Sequence, residues 1–409
     1  MMRPLLTPLV AQLAPTVDLD LTAEYLDQRI TFTRAGTRTY FDSAGVLRTA
    51  PANVWPREYD PLTLKCIGRA GYGAATNLCT RSQEFDQWSL ANTTVTANAT
   101  TAPDGTATMD LLEHTKSGGR VTRSVTVASG SYYTFSVFVK QGSAPYVVIA
   151  ISAATSLGNA GAAWFNFATG EFENAGSIGT GWTFARARKY PMANGMWRLD
   201  ITVLTATTSA FVYLAAAANN TASGSAGMTV YAWGAQMELS NTSTPYIPTT
   251  SVSVTRSGEA SAFLDLSQIG FSAQAGTFAI DFTTVNIGSG STNTLLNLGD
   301  GTSGGFLSIV TNDQRGIIGS AAGNLPGGIN SYASGQQARV CVTLEQQGAN
   351  IAARGWSNYP WGPASFTIAT RNLSTFIALS VGSRARATGS FDAHSQTHIQ
   401  RVRYWPTIL

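Results

Sequence analysis

Residues 231–256 read YAWGAQMELSNTSTPYIPTTSVSVTR, and this stretch decides how the chain is divided. Val230, Ala232 and Gly234 alternate with Tyr231, Trp233 and Ala235, a period-2 run rich in strand formers. Ser240, Asn241, Thr242, Ser243, Thr244 and Pro245 then break the alternation. Pro245 and Pro248 fix φ and withhold two N–H groups, so Tyr246 and Ile247 between them are held extended. A strand that ends in a stiff polar leash marks a boundary between modules. One sandwich closes on Trp233 before the leash, and a second is built after it.

Upstream of the leash, alternation predicts strands over 121–127, 132–140, 146–152, 163–167, 182–190, 196–204, 210–215 and 228–236. Tyr133, Phe135, Val137 and Val139 fall on one face of their strand, with Tyr132, Thr134, Ser136 and Phe138 on the other. Turn signals such as Ser129-Gly130, Gln141-Gly142, Thr169-Gly170 and Asn194-Gly195 recur at sandwich spacing. Many antiparallel strands of this kind predict a jelly roll over residues 76–250.

Downstream, residues 251–409 carry strand signals at 277–282, 294–298, 305–311, 316–319, 337–345, 350–355, 379–382 and 389–403. Residues 1–75 hold less apolar sequence in series. Leu5, Leu6, Leu9, Val10 and Leu13 would line one face of a short helix in an arm. Asp42-Ser43-Ala44-Gly45 then turns a β-hairpin within a connector. The fold class read from the sequence is therefore all-β: two antiparallel β-sandwiches in series after a short N-terminal attachment region.

Composition narrows the function classes. Charged residues are only 12% of the 409, and hydrophobic residues are 44%. Disorder needs the opposite balance. A net charge of +3 is too small for an electrostatic nucleic-acid footprint, so no nucleic-acid partner is expected. Cys66, Cys79 and Cys341 are widely spaced and odd in number, which fits folding in a reducing cytoplasm better than a disulfide framework. Pro4 and Pro8 interrupt the apolar N-terminal patch, so residues 1–13 read as mature sequence rather than a signal peptide.

Three segments resemble one family. Gly234, Ala235, Gln236, Glu238, Thr244, Tyr246, Ile247, Pro248, Thr249, Thr255 and Arg256 stand as in the closing segment of a domain of tailed-phage virion proteins, the head-spike and tail-fibre family. FTRAGTRTYFDSAGVLRTA at 32–50 is similar to that family's opening motif, and Asn77, Leu78, Ser82, Phe85 and Trp88 resemble its domain start. The resemblance covers about residues 30–256. It implies a spike or fibre located on the virion. Its partners would be other virion proteins (capsid, portal or tail components) and a host surface polysaccharide. It would be a homo-oligomer, a trimer first and a pentamer next. In the C-terminal part, GTFAIDF, LLNLGDG and the closing IQRVRYWP resemble the concanavalin A-like, laminin-G-type fold.

The sequence carries little that points to catalytic chemistry. Glycoside hydrolysis needs two carboxyl groups about 5–10 Å apart, which on a strand appear as alternating acids facing one cleft. Glu345 stands alone, and Glu171 with Glu173 lies at a turn. His394 and His398 are four apart but in a loop-then-strand context, where that spacing does not converge on a metal. Asp300, Gly301, Thr302 and Asp313 would make a thin calcium shell, and a plain turn is the better reading. No catalytic residue, cofactor or metal is expected. The aromatic residues are more informative. Trp356, Tyr359 and Trp361 lie in GWSNYPWGPAS, a Gly/Pro-rich loop where a strand core has no use for them. They are the candidate glycan-binding residues, since sugar rings stack on Trp and Tyr. Two alternatives stay open: a purely structural capsid or tail decoration, and a polysaccharide-degrading enzyme.

Overall fold

The structure, a computed structural model, describes residues 14–221, 224–283, 292–300, 306–312, 315–320, 323–324, 337–357, 364–368, 372–381, 384–385, 391–392 and 397–409. It is all-β, with two antiparallel β-sandwiches. The expected apolar arm at residues 1–13 lies outside the described residues.

The first sandwich faces two six-stranded sheets. One runs Thr183–Pro191, Met196–Leu204, Tyr132–Gln141, Thr229–Leu239, Met109–His114, Thr93–Thr100. The other runs Glu171–Ile178, Ala160–Asn166, Tyr146–Ser152, Ser209–Ala217, Arg120–Thr126, Ser89–Ala91. The chain crosses repeatedly from sheet to sheet, the winding of a jelly roll. Tyr133, Phe135, Val137 and Val139 enter the main core, as their alternation predicts. Phe138, on the opposite face of that strand, joins Trp233, Tyr246 and Leu47 in a second apolar patch. The connector hairpin, Arg38–Phe41 paired with Leu47–Ala50, brings Phe41 and Leu47 to this patch. Both faces of the central strand are thus covered, which accounts for its unbroken burial from Tyr133 to Val139. Trp182 lies in the main core with Trp197 packed against it, whereas Trp164 packs in a smaller cluster with Val148 and Tyr213.

The second sandwich differs from the expectation in its N-terminal boundary. Its six-stranded sheet runs Val17–Asp20, His398–Trp405, Ala275–Thr283, Gln337–Gln347, Asn350–Ser357, Ala364–Ile368. Its seven-stranded sheet begins Thr31–Arg34, Glu259–Asp265, Ala378–Val381, Thr292–Gly299. Residues 17–34 therefore give two edge strands to a sandwich whose other strands lie beyond residue 258. Val17, Leu19, Leu21, Ile30 and Trp55 are buried in its core beside Phe278, Ile280 and Tyr404. The physical reason is the short VDLD alternation, which buries Val17 and Leu19 against the last strand and leaves Asp18 and Asp20 outside. The connector also lies on that strand: Arg69 and Ile399 exchange backbone hydrogen bonds of 3.0 and 2.8 Å.

The residues that carry the family resemblance form a clasp. Asn77 donates to the carbonyls of Ala235 (3.1 Å) and Ile247 (2.8 Å), and accepts from the backbone N–H groups of Cys79 (3.0 Å) and Met237 (3.1 Å). Gln236 accepts from Ile247 N–H at 2.6 Å, and Glu238 accepts from the N–H and hydroxyl of Thr244. The Tyr246 and Ser82 hydroxyls are 2.6 Å apart, and Thr249 donates its hydroxyl to Cys79 O. Thr39 of the connector donates to Tyr246 O. Gly234 sits at φ +64°, where an added Cβ would come within 2.8 Å of the Phe138 ring. Only glycine meets both demands cheaply. The polar leash is thus tied down along its length by the strand it leaves and by the loop that opens the domain.

A buried ion cluster joins the connector to the second sandwich. Glu259 accepts from Arg34 Nη1 (2.9 Å) and forms an ion pair with Arg38, its oxygen 2.7 Å from Nε, while Glu58 accepts from Arg38 Nη1 at 2.8 Å. The Arg38 guanidinium lies 4.9 Å from the centre of the Tyr72 ring, and Tyr72 donates its hydroxyl to Glu58. Charges this buried persist only when paired and hydrogen-bonded.

Candidate functional site: a polar cleft on the second sandwich

The outer face of the six-stranded sheet carries charge in rows. Along each strand a charged residue stands between apolar ones that point inward: Asp18 and Asp20 flank Leu19, Arg401 and Arg403 flank Val402, Asp281 sits between Ile280 and Phe282, and Arg339 between Ala338 and Val340. The register places Asp20 opposite Arg401, Arg401 opposite Asp281, and Asp281 opposite Arg339. Cross-strand neighbours of opposite charge at this spacing attract.

The pairs that form are specific. Arg401 holds Asp18 with two bonds of 2.6 and 2.5 Å. Asp281 accepts from Arg403 at 2.6 Å and from both Nε and Nη2 of Arg339. Asp20 accepts from the N–H (2.9 Å) and hydroxyl (2.5 Å) of Thr22. Burial pushes the Asp20 carboxyl up, but the Thr22 hydrogen bonds and the Arg401 charge outweigh it and leave it below the usual carboxylate range. Hydrogen bonds donated to Asp18 and Asp281 hold the Arg401 and Arg339 guanidiniums above their ordinary value.

These side chains surround a cleft of about 540 Å³, lined by Asp20, Thr22, Cys66, Asp281, Gln337, Ala338, Arg339, Gln400 and Arg401. Gln337 is exposed, and Gln400 donates to Thr283 Oγ1 at 3.3 Å. Amides, carboxylates and guanidiniums in a solvent-filled cleft present donors and acceptors side by side, the pattern that meets hydroxyl-rich ligands.

Tyr359 and Trp361 lie outside the described residues. The backbone of Trp356 is described: it belongs to Asn350–Ser357 and pairs with Cys341, while Ser357 pairs with Val340. Trp356 therefore stands in a strand rather than in the loop expected from the sequence. The cleft residues themselves went unread in the sequence. Their signal was present in VDLD, RVR, AID and ARV, where charge alternates with apolar residues on strands of one sheet.

Other candidates separate. Asp300 is described, but Gly301, Thr302 and Asp313 lie outside the described residues, as does His394. His398 Nε2 is 3.3 Å from Glu58 at the ion cluster, and His114 is buried at the end of its strand, with burial lowering its pKa. Among the described residues no three His, Cys, Asp or Glu side chains converge as a metal site would require.

No family model matches the chain, and no curated protein matches it. Solved structures similar to it include the NanB sialidase from Streptococcus pneumoniae, at 14% identity and a TM-score of 0.28 over 36% of this chain and 25% of that one. The chain thus spans about a quarter of that sialidase's length. A Ruminococcus gnavus IT-sialidase CBM40 is similar at 15% identity and 0.28, over 36% of this chain and 88% of that one. The LG1-3 region of the laminin alpha2 chain is similar at 10% identity and 0.22, over 69% and 63%. At these scores no residue correspondence is drawn from any of them.

Proposed function

We propose that this chain is a non-enzymatic virion protein of a tailed phage or phage-derived particle, a head spike or tail fibre that holds a host surface glycan on its second sandwich. One observation carries the glycan reading: a cleft of about 540 Å³ on the second sandwich is lined by Asp281, Gln337, Arg339 and Gln400. Convergent donors and acceptors of this kind suit the hydroxyls of a saccharide, and Trp356, Tyr359 and Trp361 are the rings proposed to stack on it. The virion reading rests on the clasp residues that resemble the spike and fibre family. On that reading the chain assembles as a homo-oligomer, a trimer before a pentamer, and residues 1–13 dock on another virion protein. A polysaccharide-degrading role is disfavoured by the electrostatics of the cleft. A general acid needs a raised pKa, whereas the Asp20 carboxyl is low and Asp281 is gripped by two arginines.

The test is adsorption. Trp356→Ala with Trp361→Ala should weaken binding of the purified protein to host cells and leave thermal unfolding nearly unchanged. Stacking contributes roughly 0.5–1.5 kcal/mol per ring beyond area burial. The effect of both together is then about five- to a hundredfold, amplified on a multivalent particle. A double variant that unfolds would make these residues packing residues. Unchanged adsorption with an intact fold would favour a purely structural decoration.

A further inference from the structure

We infer that the cleft selects an uncharged saccharide, one whose contacts are hydroxyl groups rather than carboxylate, sulfate or phosphate; this rests on the glycan-binding reading above. The inference comes from how the charges of the cleft are spent. Three carboxylates, Asp18, Asp20 and Asp281, stand beside three guanidiniums, Arg339, Arg401 and Arg403, so the strip carries no net charge. Asp18 is held by two bonds from Arg401, and Asp281 by two from Arg339 and one from Arg403. Asp20 is bonded by the N–H and hydroxyl of Thr22.

An acidic sugar would need a cation to itself. Each arginine of the strip already faces a carboxylate, so the ligand would have to displace that carboxylate or sit beside it, and like charges at contact repel. A sugar hydroxyl makes no such demand. It can accept from a guanidinium N–H and donate to a carboxylate oxygen without breaking the pair, because a carboxylate has about four lone-pair sites and a guanidinium five N–H groups. Gln337 and Gln400 add amides that both donate and accept. The paired ions then act as a rigid, pre-oriented lattice of donors and acceptors, and binding pays little entropy to arrange them.

The experiment presents the full-length protein to an array of neutral oligosaccharides, each printed beside a matched form bearing a uronic acid, sialic acid or sulfate, at low and high salt. Binding to neutral forms, with signal nearly independent of salt and reduced when the matched acid is added, supports the inference. Preference for the acidic forms, or signal that falls steeply with salt, overturns it while leaving glycan binding intact. No signal on any form overturns the glycan reading itself. Gln337→Ala and Gln400→Ala should each weaken the neutral signal about three- to tenfold, the loss expected for one uncharged hydrogen-bonding amide. Both positions are solvent-accessible, so an unchanged melting temperature accompanies that loss if the amides touch ligand. Full binding in both variants overturns the assignment to this cleft.

Discussion

Arg34 and Glu259 meet at 2.9 Å although 225 positions separate them, and both side chains are shut off from water. Arg34 ends an N-terminal edge strand, and Glu259 begins the strand it pairs with. The same Glu259 carboxylate is ion-paired with Arg38 and accepts from the backbone N–H of Tyr72. One acidic group therefore joins the entry strand, the hairpin and the connector at a single point.

Removing that charge should be costly. Glu259→Gln leaves the buried Arg34 facing a neutral amide and Arg38 with Glu58 alone, and breaking a buried pair from one side typically costs about 3–5 kcal/mol. Urea unfolding followed by tryptophan fluorescence should show a loss of that size. A loss within experimental error of zero would mean that water reaches the cluster.

The companion carboxylate sets an acid limit. Burial alone would raise Glu58, but Arg38 and His398 override it and hold the group at about 2 instead of 4.5. A depressed carboxylate stabilises the fold above its unfolded pKa and loses that contribution as pH falls. Stability should decline from about pH 4.5 toward pH 2, and Glu58→Gln should flatten the decline while lowering stability at neutral pH. Melting temperatures across that window, compared between the two proteins, measure the difference.

Asn77 offers a sharper test of the clasp. Its amide makes four bonds to backbone groups of the closing strand, the leash and its own loop. Asn77→Ala strands buried N–H and C=O groups, each worth about 1–3 kcal/mol, so a loss of at least about 3 kcal/mol is expected. Hydrogen exchange should show new opening along residues 245–250 while the strand Tyr146–Ser152, in the facing sheet, stays protected.

Truncation separates the arm from the fold. Deleting residues 1–13 should leave both sandwiches intact, because among the described residues the first pairing strand starts at Val17. Deleting through Asp20 should destabilise the second sandwich alone, exposing His398–Trp405 as an edge and emptying the core positions of Val17 and Leu19. Calorimetry resolving two transitions, with only one displaced, would establish this.

Cys79 reports global opening. Burial pushes its thiol up to about 12, so alkylation should be negligible until the first sandwich unfolds. Labelling in native buffer at the rate of a free thiol would contradict that placement.

Much of the fold was legible because it rests on period-2 alternation. The Tyr133 to Val139 face, the closing strand at Trp233 and the 42–45 turn all lie where local pattern placed them. Thr93–Thr100 and Glu171–Ile178 were not legible, since they are polar edge strands with few apolar residues to alternate. The partners of Val17–Asp20 were illegible for another reason: four residues cannot say which distant strand will bury them. The cleft went unread because no single strand contains it. It exists only once the register sets Asp20, Arg401, Asp281 and Arg339 side by side.

The pairing of Asp18 with Arg401, across 383 positions, also orders events on the ribosome. The first sandwich has all its strands once residue 239 has emerged, but the edge strand near the N-terminus has no partner until the last strand appears. At about 5–20 residues per second that interval lasts roughly 20 to 75 s. Throughout it Val17 and Leu19 are open to neighbouring nascent chains, joined in the last third by the unpaired edges of the half-made second sandwich. Slower elongation lengthens the exposure and faster elongation shortens it, so soluble yield should depend on translation rate more strongly for this chain than for one that completes each domain in turn.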